Sequence, residues 1–204
     1  MKLNPLKILF VIALTVITLS NTACSKDDKN KQSSSTATAQ VNSNESINGV
    51  YTLTKIKATG EKEPLDFTWN ENGKEQTLSN FLKGKLTFIN FWGTWCPPCR
   101  AEIPALIELH NKYKDKGFQI IGIPLERDES SQMENVSNFA KKIGINYRNF
   151  PSRPYADAFG QKFGPIQYVP STFVVGRDGK VLETIVGGRD LNTFEQIILK
   201  YINN

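Results

Sequence analysis

The amino-acid sequence predicts an α/β domain with a mixed central sheet and helices on both of its faces. Two runs of apolar, β-favouring residues, 86–92 and 118–123, indicate strands that are buried on both faces. A stretch with helical spacing of apolar residues, 97–116, separates them. A strand, a helix and a strand in this order favour parallel neighbours, whereas two later strands joined by a tight turn favour an antiparallel pair.

The first elements lie upstream of these runs. Weak alternation over residues 50–57 indicates a strand. Residues 67–69 and 75–78 are expected to form a hairpin, because Asn72 and Gly73 between them tolerate the positive φ of a tight turn.

The helix at 97–116 has clear start and stop signals. Pro97 and Pro98 fit a first helical turn, where a missing N–H group costs nothing, and Gly117 is a stop signal. The residues expected on its buried side are Ile103, Leu106, Ile107, Leu109 and Tyr113. The later predicted elements are a helix at 133–143 ended by Gly144, a short strand near 147–150, a helix at 155–163, strands at 171–175 and 181–186 around a turn at 177–180, and a closing helix at 191–201.

Composition limits the classes of function. The net charge is +5, but the lysines are scattered and do not form a stripe interleaved with aromatic residues, so no nucleic-acid partner is expected. The basic balance indicates solubility, with weak attraction to acidic partners or anionic lipid as the alternative. The sequence contains no internal repeat and no sustained heptads, so we expect one domain, residues 47–204, and a monomer.

The N-terminus has the features of an export signal. Two lysines precede an apolar run, 8–19, which is too short to span a membrane as a helix, and small and polar residues follow. We therefore expect a signal peptide at residues 1–23 and a location in the cell envelope.

Cys24 is the expected anchor point. The segment LSNTAC resembles the lipobox of bacterial lipoproteins, in which the cysteine is lipidated, although Asn21 stands where leucine is usual. Lipidation would also remove the odd third thiol of an exported protein. The following SKDDKNK resembles an acidic surface-targeting tag or is simply a charged start to a tether, so the anchor could face the periplasm or the outer-membrane surface. Residues 24–46 are polar enough to be a disordered linker.

The segment WCPPC carries the chemistry. Two residues between Cys96 and Cys99 let the sulfurs bond, and the start of a helix favours a thiolate on the first of them. Cys96 is therefore the expected nucleophile and Cys99 the resolving thiol. The alternatives are a structural zinc site, for which the chain offers one CxxC and one histidine, and a purely structural disulfide, which would close too small a loop to stabilise much. No metal or cofactor is expected.

FINFWGTWCPPCRAEIPAL, together with VPSTFVV and the closing GKV segment, closely resembles the membrane-associated, thioredoxin-like reductases of the TlpA and ResA type. The resemblance covers residues 67–201. It implies a thioredoxin fold with an N-terminal β-hairpin addition and an insertion near residues 124–144. It also implies a reductase that donates electrons to disulfides outside the cytoplasm.

The resemblance assigns further site residues. It implies that Pro170 follows a cis peptide bond beside the sulfurs and that the backbone of Val169 is free to pair with a substrate strand. It also implies that Glu102 moves protons at the dithiol. Cys99 and Glu102 share a helix face, although a solvated charge near a helix start is the alternative for Glu102. Ordinary thioredoxins carry a buried acid where this chain has Asn90.

Other residues were assigned smaller roles. Trp95 is either core or an apolar lip for a protein substrate. Pro97 and Pro98 are expected to face the substrate and to tune the relative stability of the dithiol and the disulfide. The sequence does not give the direction of this effect. His110 is expected to be a surface or packing residue. The loop of Glu126, Arg127 and Asp128 is expected to be solvated, with a partner groove as the alternative.

These predictions combine into one hypothesis. The chain is expected to be a lipid-anchored, extracytoplasmic thiol-disulfide oxidoreductase that receives electrons from a membrane donor and reduces exported proteins, with apocytochrome c as one candidate substrate by family analogy. Three alternatives remain open at this stage. The same fold could act as an oxidase or isomerase, or it could be a non-catalytic surface binding module. A thiol peroxidase is the weakest alternative, because the sequence has no peroxidase-type motif around a lone cysteine.

Overall fold

The computed structural model describes residues 46–203 of the 204-residue chain. The signal peptide expected at 1–23, the lipidation of Cys24 and nearly all of the linker expected at 24–46 lie outside the described residues. Within the described part, no helix is both long and apolar enough to cross a membrane.

The described chain begins with a small antiparallel sheet. Its strands are β1 (Leu53–Lys57), β2 (Asp66–Glu71) and β3 (Lys74–Thr77), in that order. Asn72 and Gly73 both have positive φ, 53° and 73°, as a two-residue turn matching strand twist requires. The hairpin is confirmed, and β1 extends it to three strands.

The end of this hairpin differs from the prediction. Residue 78 was expected to close the second strand, but the strand stops at Thr77 and a short helix, α1 (Leu78–Leu82), begins there. The Thr77 hydroxyl caps the helix by accepting a hydrogen bond from Asn80 N at 3.2 Å. Leu78 and Leu82, one turn apart, are both buried, so packing favours the helix.

The central sheet has five strands in the order β6, β5, β4, β7, β8. These are β4 (Leu86–Trp92), β5 (Phe118–Pro124), β6 (Arg148–Asn149), β7 (Ser171–Val175) and β8 (Val181–Val186). β4, β5 and β6 are parallel, whereas β7 is antiparallel to both β4 and β8. The predicted mixed sheet is confirmed.

Four longer helices flank the sheet. They are α2 (Pro97–Tyr113), α3 (Gln132–Ile143), α4 (Arg153–Phe163) and α5 (Leu191–Tyr201). A 3₁₀ turn at Lys114–Lys116 continues α2 up to Gly117, which has a left-handed φ of 88°. The predicted helices are thus found to within about two residues, and the predicted insertion contains α3.

The two faces of β4 pack against different layers. Leu86 and Phe88 contact α2 and α5, while Ile89 and Phe91 contact α4 and the N-terminal sheet. On α2, the predicted core residues Ile103, Leu106, Leu109 and Tyr113 are buried, and Ile107 is half-buried. This layered arrangement of helices around a mixed sheet is a thioredoxin-like fold.

Phe150, directly after β6, joins the two sheets. Its ring lies 5.5 Å from the ring of Tyr51, 4.9 Å from that of Phe67 and 4.9 Å from that of Trp69. Phe150 is fully buried. The N-terminal sheet is therefore packed on the domain through an aromatic cluster.

We expect Phe150→Ala to lower the free energy of unfolding by about 3–5 kcal/mol, because it removes a ring from this cluster and leaves a cavity. Chemical denaturation monitored by circular dichroism measures the change. The matched control is Val186→Ala on the exposed edge strand, where a change within about 0.5 kcal/mol is expected. Equal losses of unfolding free energy in the two variants would contradict the role of Phe150 in joining the two sheets.

Candidate dithiol active site

Cys96 and Cys99 lie at the first turn of α2. Cys96 is the N-cap residue, with extended backbone angles, and Pro97 and Pro98 occupy the first helical positions. The two cysteines form a disulfide with a Cα–Cα distance of 5.3 Å. Cys96 is 2% exposed and Cys99 is fully buried. The sequence prediction of a bonded pair at a helix start is therefore met.

The surroundings of the first sulfur suit a thiolate. The backbone N–H of Cys99 donates a hydrogen bond to Cys96 Sγ at 3.3 Å. In the reduced protein this N–H group and the positive end of the α2 dipole would stabilise negative charge on Cys96. Cys99 has no such cap and lies deeper. The geometry supports Cys96 as the nucleophile.

Val169 and Pro170 face the same sulfur. The Val169–Pro170 peptide bond is cis, as the family resemblance implied. The carbonyl oxygen of Val169 lies 3.5 Å from Cys96 Sγ, and within residues 46–203 nothing pairs with the Val169 N–H group. Val169 is half-buried and Pro170 is buried. The backbone of Val169 is thus open beside the nucleophile.

Glu102 lies one turn after Cys99, on the buried face of α2. It is 2% exposed. Its carboxylate accepts hydrogen bonds from Asn90 Nδ2 at 2.9 Å and from the backbone N–H of Arg189 at 3.3 Å. Burial raises the pKa of Glu102 from 4.5 to about 7, although the hydrogen bonds from Asn90 and Arg189 and the charge of Arg189 oppose the shift. The alternative of a solvated charge is wrong.

Asn90 is a fully buried polar residue of β4. The β4–β7 register places it opposite Thr172, whose hydroxyl accepts a second hydrogen bond from Asn90 Nδ2 at 2.9 Å. Asn90 Oδ1 is buried and has no hydrogen-bond partner among the described residues. The amide presents its donor group to Glu102, which favours the ionised carboxyl.

Trp95, directly before the nucleophile, is a fixed surface residue. It is 40% exposed, and its Nε1 donates a hydrogen bond to the carbonyl of Leu125 at 2.8 Å. The indole packs so closely on Gly93 that a Cβ there would lie 2.7 Å from Nε1. Arg127 lies over the ring, 4.5 Å from its centroid. Trp95 is therefore not core, unlike the fully buried Trp92.

The loop after β5 contributes more than the sequence indicated. Glu126 was expected to be solvated, but it is buried and accepts hydrogen bonds from Thr94 N at 2.8 Å and Thr94 Oγ1 at 2.7 Å. This contact could have been predicted from the parallel pairing of β4 and β5. The carboxyl ends of parallel neighbours meet at one edge of the sheet, so the loops that follow them lie side by side. Asp128, in contrast, is exposed and bonds to Ser130 and Ser131.

His110 is not part of the site. It is half-buried, and its Nδ1 lies 3.2 Å from Asn146 Oδ1. It follows Cys96 by fourteen residues, which is about 21 Å along the helix. Within residues 46–203, no cluster of three or more His, Cys, Asp or Glu residues is placed to hold a metal ion.

Comparison with known proteins agrees with thiol-disulfide chemistry. The family model described as Redoxin matches residues 58–198. The thiol-disulfide oxidoreductase ResA of Bacillus thuringiensis strain Al Hakam is 37% identical over 147 residues, which cover 69% of this chain and 77% of the relative. ResA of Bacillus subtilis strain 168 is 31% identical over 161 residues, covering 76% and 80%.

Solved structures give the same result. A thiol:disulfide interchange protein of the thioredoxin family from Chlorobium tepidum matches with a TM-score of 0.60 and 34% identity, over 72% of this chain and 99% of that one. The thioredoxin domain of a thiol-disulfide oxidoreductase from Bacteroides vulgatus matches with a TM-score of 0.53 and 25% identity, over 70% and 99%. With relatives above 30% identity over more than two thirds of its length, the chain belongs to the redoxin family and to its ResA-type thiol-disulfide oxidoreductases.

Proposed function

We propose that this thiol-disulfide oxidoreductase works as a reductant of exported proteins from a lipid anchor in the cell envelope. The observation that carries the proposal is the Cys96–Cys99 pair at the start of α2 with the buried carboxyl of Glu102 one turn away. The start of a helix stabilises a nucleophilic thiolate, and a buried resolving thiol needs a group that accepts its proton. Both are present at one helix end.

The reaction is a two-electron exchange. The Cys96 thiolate attacks one sulfur of a substrate disulfide, forming a mixed disulfide while the other substrate cysteine leaves as a thiolate and takes up a proton. Cys99 then loses its proton to Glu102 and attacks Cys96 Sγ, which releases the second substrate cysteine. The substrate disulfide is reduced, and the Cys96–Cys99 dithiol is oxidised to a disulfide.

The cellular setting rests on the sequence. The apolar run at 8–19 and the lipobox-like LSNTAC support export and lipidation of Cys24, with residues 24–46 as a tether. Outside the cytoplasm the oxidised protein needs a membrane electron donor to return to the dithiol. By family resemblance, apocytochrome c is a candidate substrate. The protein works without a cofactor and as a monomer.

The test is the reduction potential of the Cys96–Cys99 pair, measured with the full chain in detergent against thiol redox buffers of graded poise. A reductant is expected to lie closer to the roughly −270 mV of thioredoxin than to the roughly −180 mV of protein disulfide isomerase. A value at or above the isomerase value would replace the reductase proposal with an oxidase or isomerase. Cys96→Ser with unchanged function in cells would instead support a non-catalytic binding module.

Glu102→Gln tests the proton acceptor. Because the pKa of Glu102 is about 7, the rate of mixed-disulfide resolution in the wild type should rise with pH and level off above 7. The variant should lose this inflection and be slower by about 10²-fold at pH 7.5. Single-turnover kinetics of the reduced protein from pH 5 to pH 9 measure both effects.

The matched control for this variant is Glu108→Gln, an exposed position on the same helix. It should keep the inflection and the wild-type rate. If Glu102→Gln also retained the inflection near pH 7, another group would have to accept the proton of Cys99.

Asn90→Ala tests how the carboxyl is tuned. The substitution removes the hydrogen bond from Nδ2 to Glu102, which favours the ionised form, so the pKa of Glu102 should rise further. The kinetic inflection should therefore move to a pH above 7, while Glu102 itself remains. An inflection that stays in place, in a variant shown to be folded by circular dichroism, would mean that Asn90 only fills space.

A further inference from the structure

A groove lies beside the nucleophile on the surface of the domain. It has a volume of about 330 Å³ and is lined by Trp95, Arg153, Ile166, Tyr168 and Val169, among others. Two of these residues connect it to the dithiol. Trp95 directly precedes Cys96, and the Val169 carbonyl oxygen lies 3.5 Å from Cys96 Sγ. Whatever occupies the groove is therefore adjacent to the sulfur that Cys96 attacks.

The walls of the groove are rigid and partly apolar. The Trp95 indole is held by its hydrogen bond to the Leu125 carbonyl and by close contact with Gly93. Tyr168 is 68% exposed, which is unusual for a large aromatic residue, and its carbonyl accepts a hydrogen bond from Ser171 Oγ at 2.7 Å. Two aromatic side chains at the edge of an active site, one of them held in place, offer apolar contact area at little entropic cost.

Two arginines lie at or next to the groove. Arg153 lines it, and Arg127 lies over the ring of Trp95, which forms one of its walls. Within residues 46–203, neither guanidinium has a carboxylate partner. The carboxylates next to Arg127 in the sequence are engaged elsewhere, Glu126 with Thr94 and Asp128 with Ser130 and Ser131. Neither of these two positive charges is therefore held in an ion pair within the described part of the chain.

The occupant is an extended polypeptide segment. The Val169 N–H group has no partner among the described residues, and the Val169 carbonyl faces the nucleophile, so a strand can pair there. A side chain of that strand next to its cysteine would enter the groove between Trp95 and Tyr168. A carboxylate on that side chain would meet the two guanidinium groups, for which it is the preferred partner.

We propose that Arg127, Arg153 and Trp95 form a specificity groove that selects a disulfide-bearing segment with an acidic residue beside the cysteine attacked by Cys96. This inference rests on the proposed function and deepens it by naming the chemistry of the substrate. Arg127 and Arg153 act on substrate binding and on the rate of encounter, whereas the sulfur exchange itself is performed by Cys96 and Cys99.

The experiment uses the reduced full chain in detergent and three matched peptides. Each peptide has one cysteine in a mixed disulfide with thionitrobenzoate and carries Asp, Asn or Lys beside that cysteine, on either side in separate sets. Cys96 attacks the peptide sulfur, coloured thionitrobenzoate leaves, and Cys99 then releases the peptide with formation of the Cys96–Cys99 disulfide. The second-order rate constant of colour release is measured at low and at high salt.

The wild type should react at least about tenfold faster with the Asp peptide than with the Lys peptide, with Asn between them, and high salt should reduce the ratio. The double variant Arg127→Glu, Arg153→Glu should invert the preference toward Lys. An inverted preference cannot come from a protein that failed to fold.

The control removes the same type of charge elsewhere. Lys114→Gln with Lys116→Gln changes the far end of the α2 segment, about 27 Å from Cys96, and should keep the Asp preference. Loss of the preference in this control would assign it to the net charge of the protein and overturn the groove. Equal wild-type rates with Asp and Lys peptides would overturn it as well, while leaving the reductase intact. If no peptide reacted, the proposed function itself would fail.

Discussion

The complete burial of β4 is the constraint on which the rest of the structure depends. All seven residues of this strand are buried, because it is the middle strand of five and is covered on both faces. A polar side chain in such a strand must find its partners inside the protein. Thr87 accepts a hydrogen bond from Gln119 of β5, and Asn90 faces α2, where it meets Glu102. The central strand thus determines which group lies under the dithiol.

The energetics of Glu102 show that this placement costs stability at neutral pH. Its folded pKa of about 7 lies above the ordinary 4.5, so the neutral carboxyl is favoured by folding. The stability it provides is fully present below pH 4.5 and is lost as the pH rises through 7, a difference of about 3 kcal/mol. A buried acid that is costly to ionise is also a strong proton acceptor at neutral pH.

Most strands, helices and the dithiol could be predicted from the sequence, because each is encoded by local periodicity or a short motif. α1 could not be predicted, because this five-residue helix is stabilised by the tertiary burial of Leu78 and Leu82 and not by any local sequence signal. The partners of Glu102 and the burial of Glu126 were missed for a similar reason. Each depends on residues that strand register or neighbouring parallel strands bring together. Such contacts produce no periodic pattern in the sequence.

The residues around the dithiol form two sets that share no member. Glu102, Asn90 and Thr172 are buried between α2 and the sheet, and in the proposed mechanism Glu102 takes the proton of the resolving thiol. Trp95, Arg127 and Arg153 belong to the proposed groove, which acts on what reaches the nucleophile. Core packing constrains Glu102, Asn90 and Thr172, whereas the two arginines do not take part in core packing. If the groove acts as proposed, its charge preference can therefore change by single substitutions without disturbing the exchange chemistry of the dithiol.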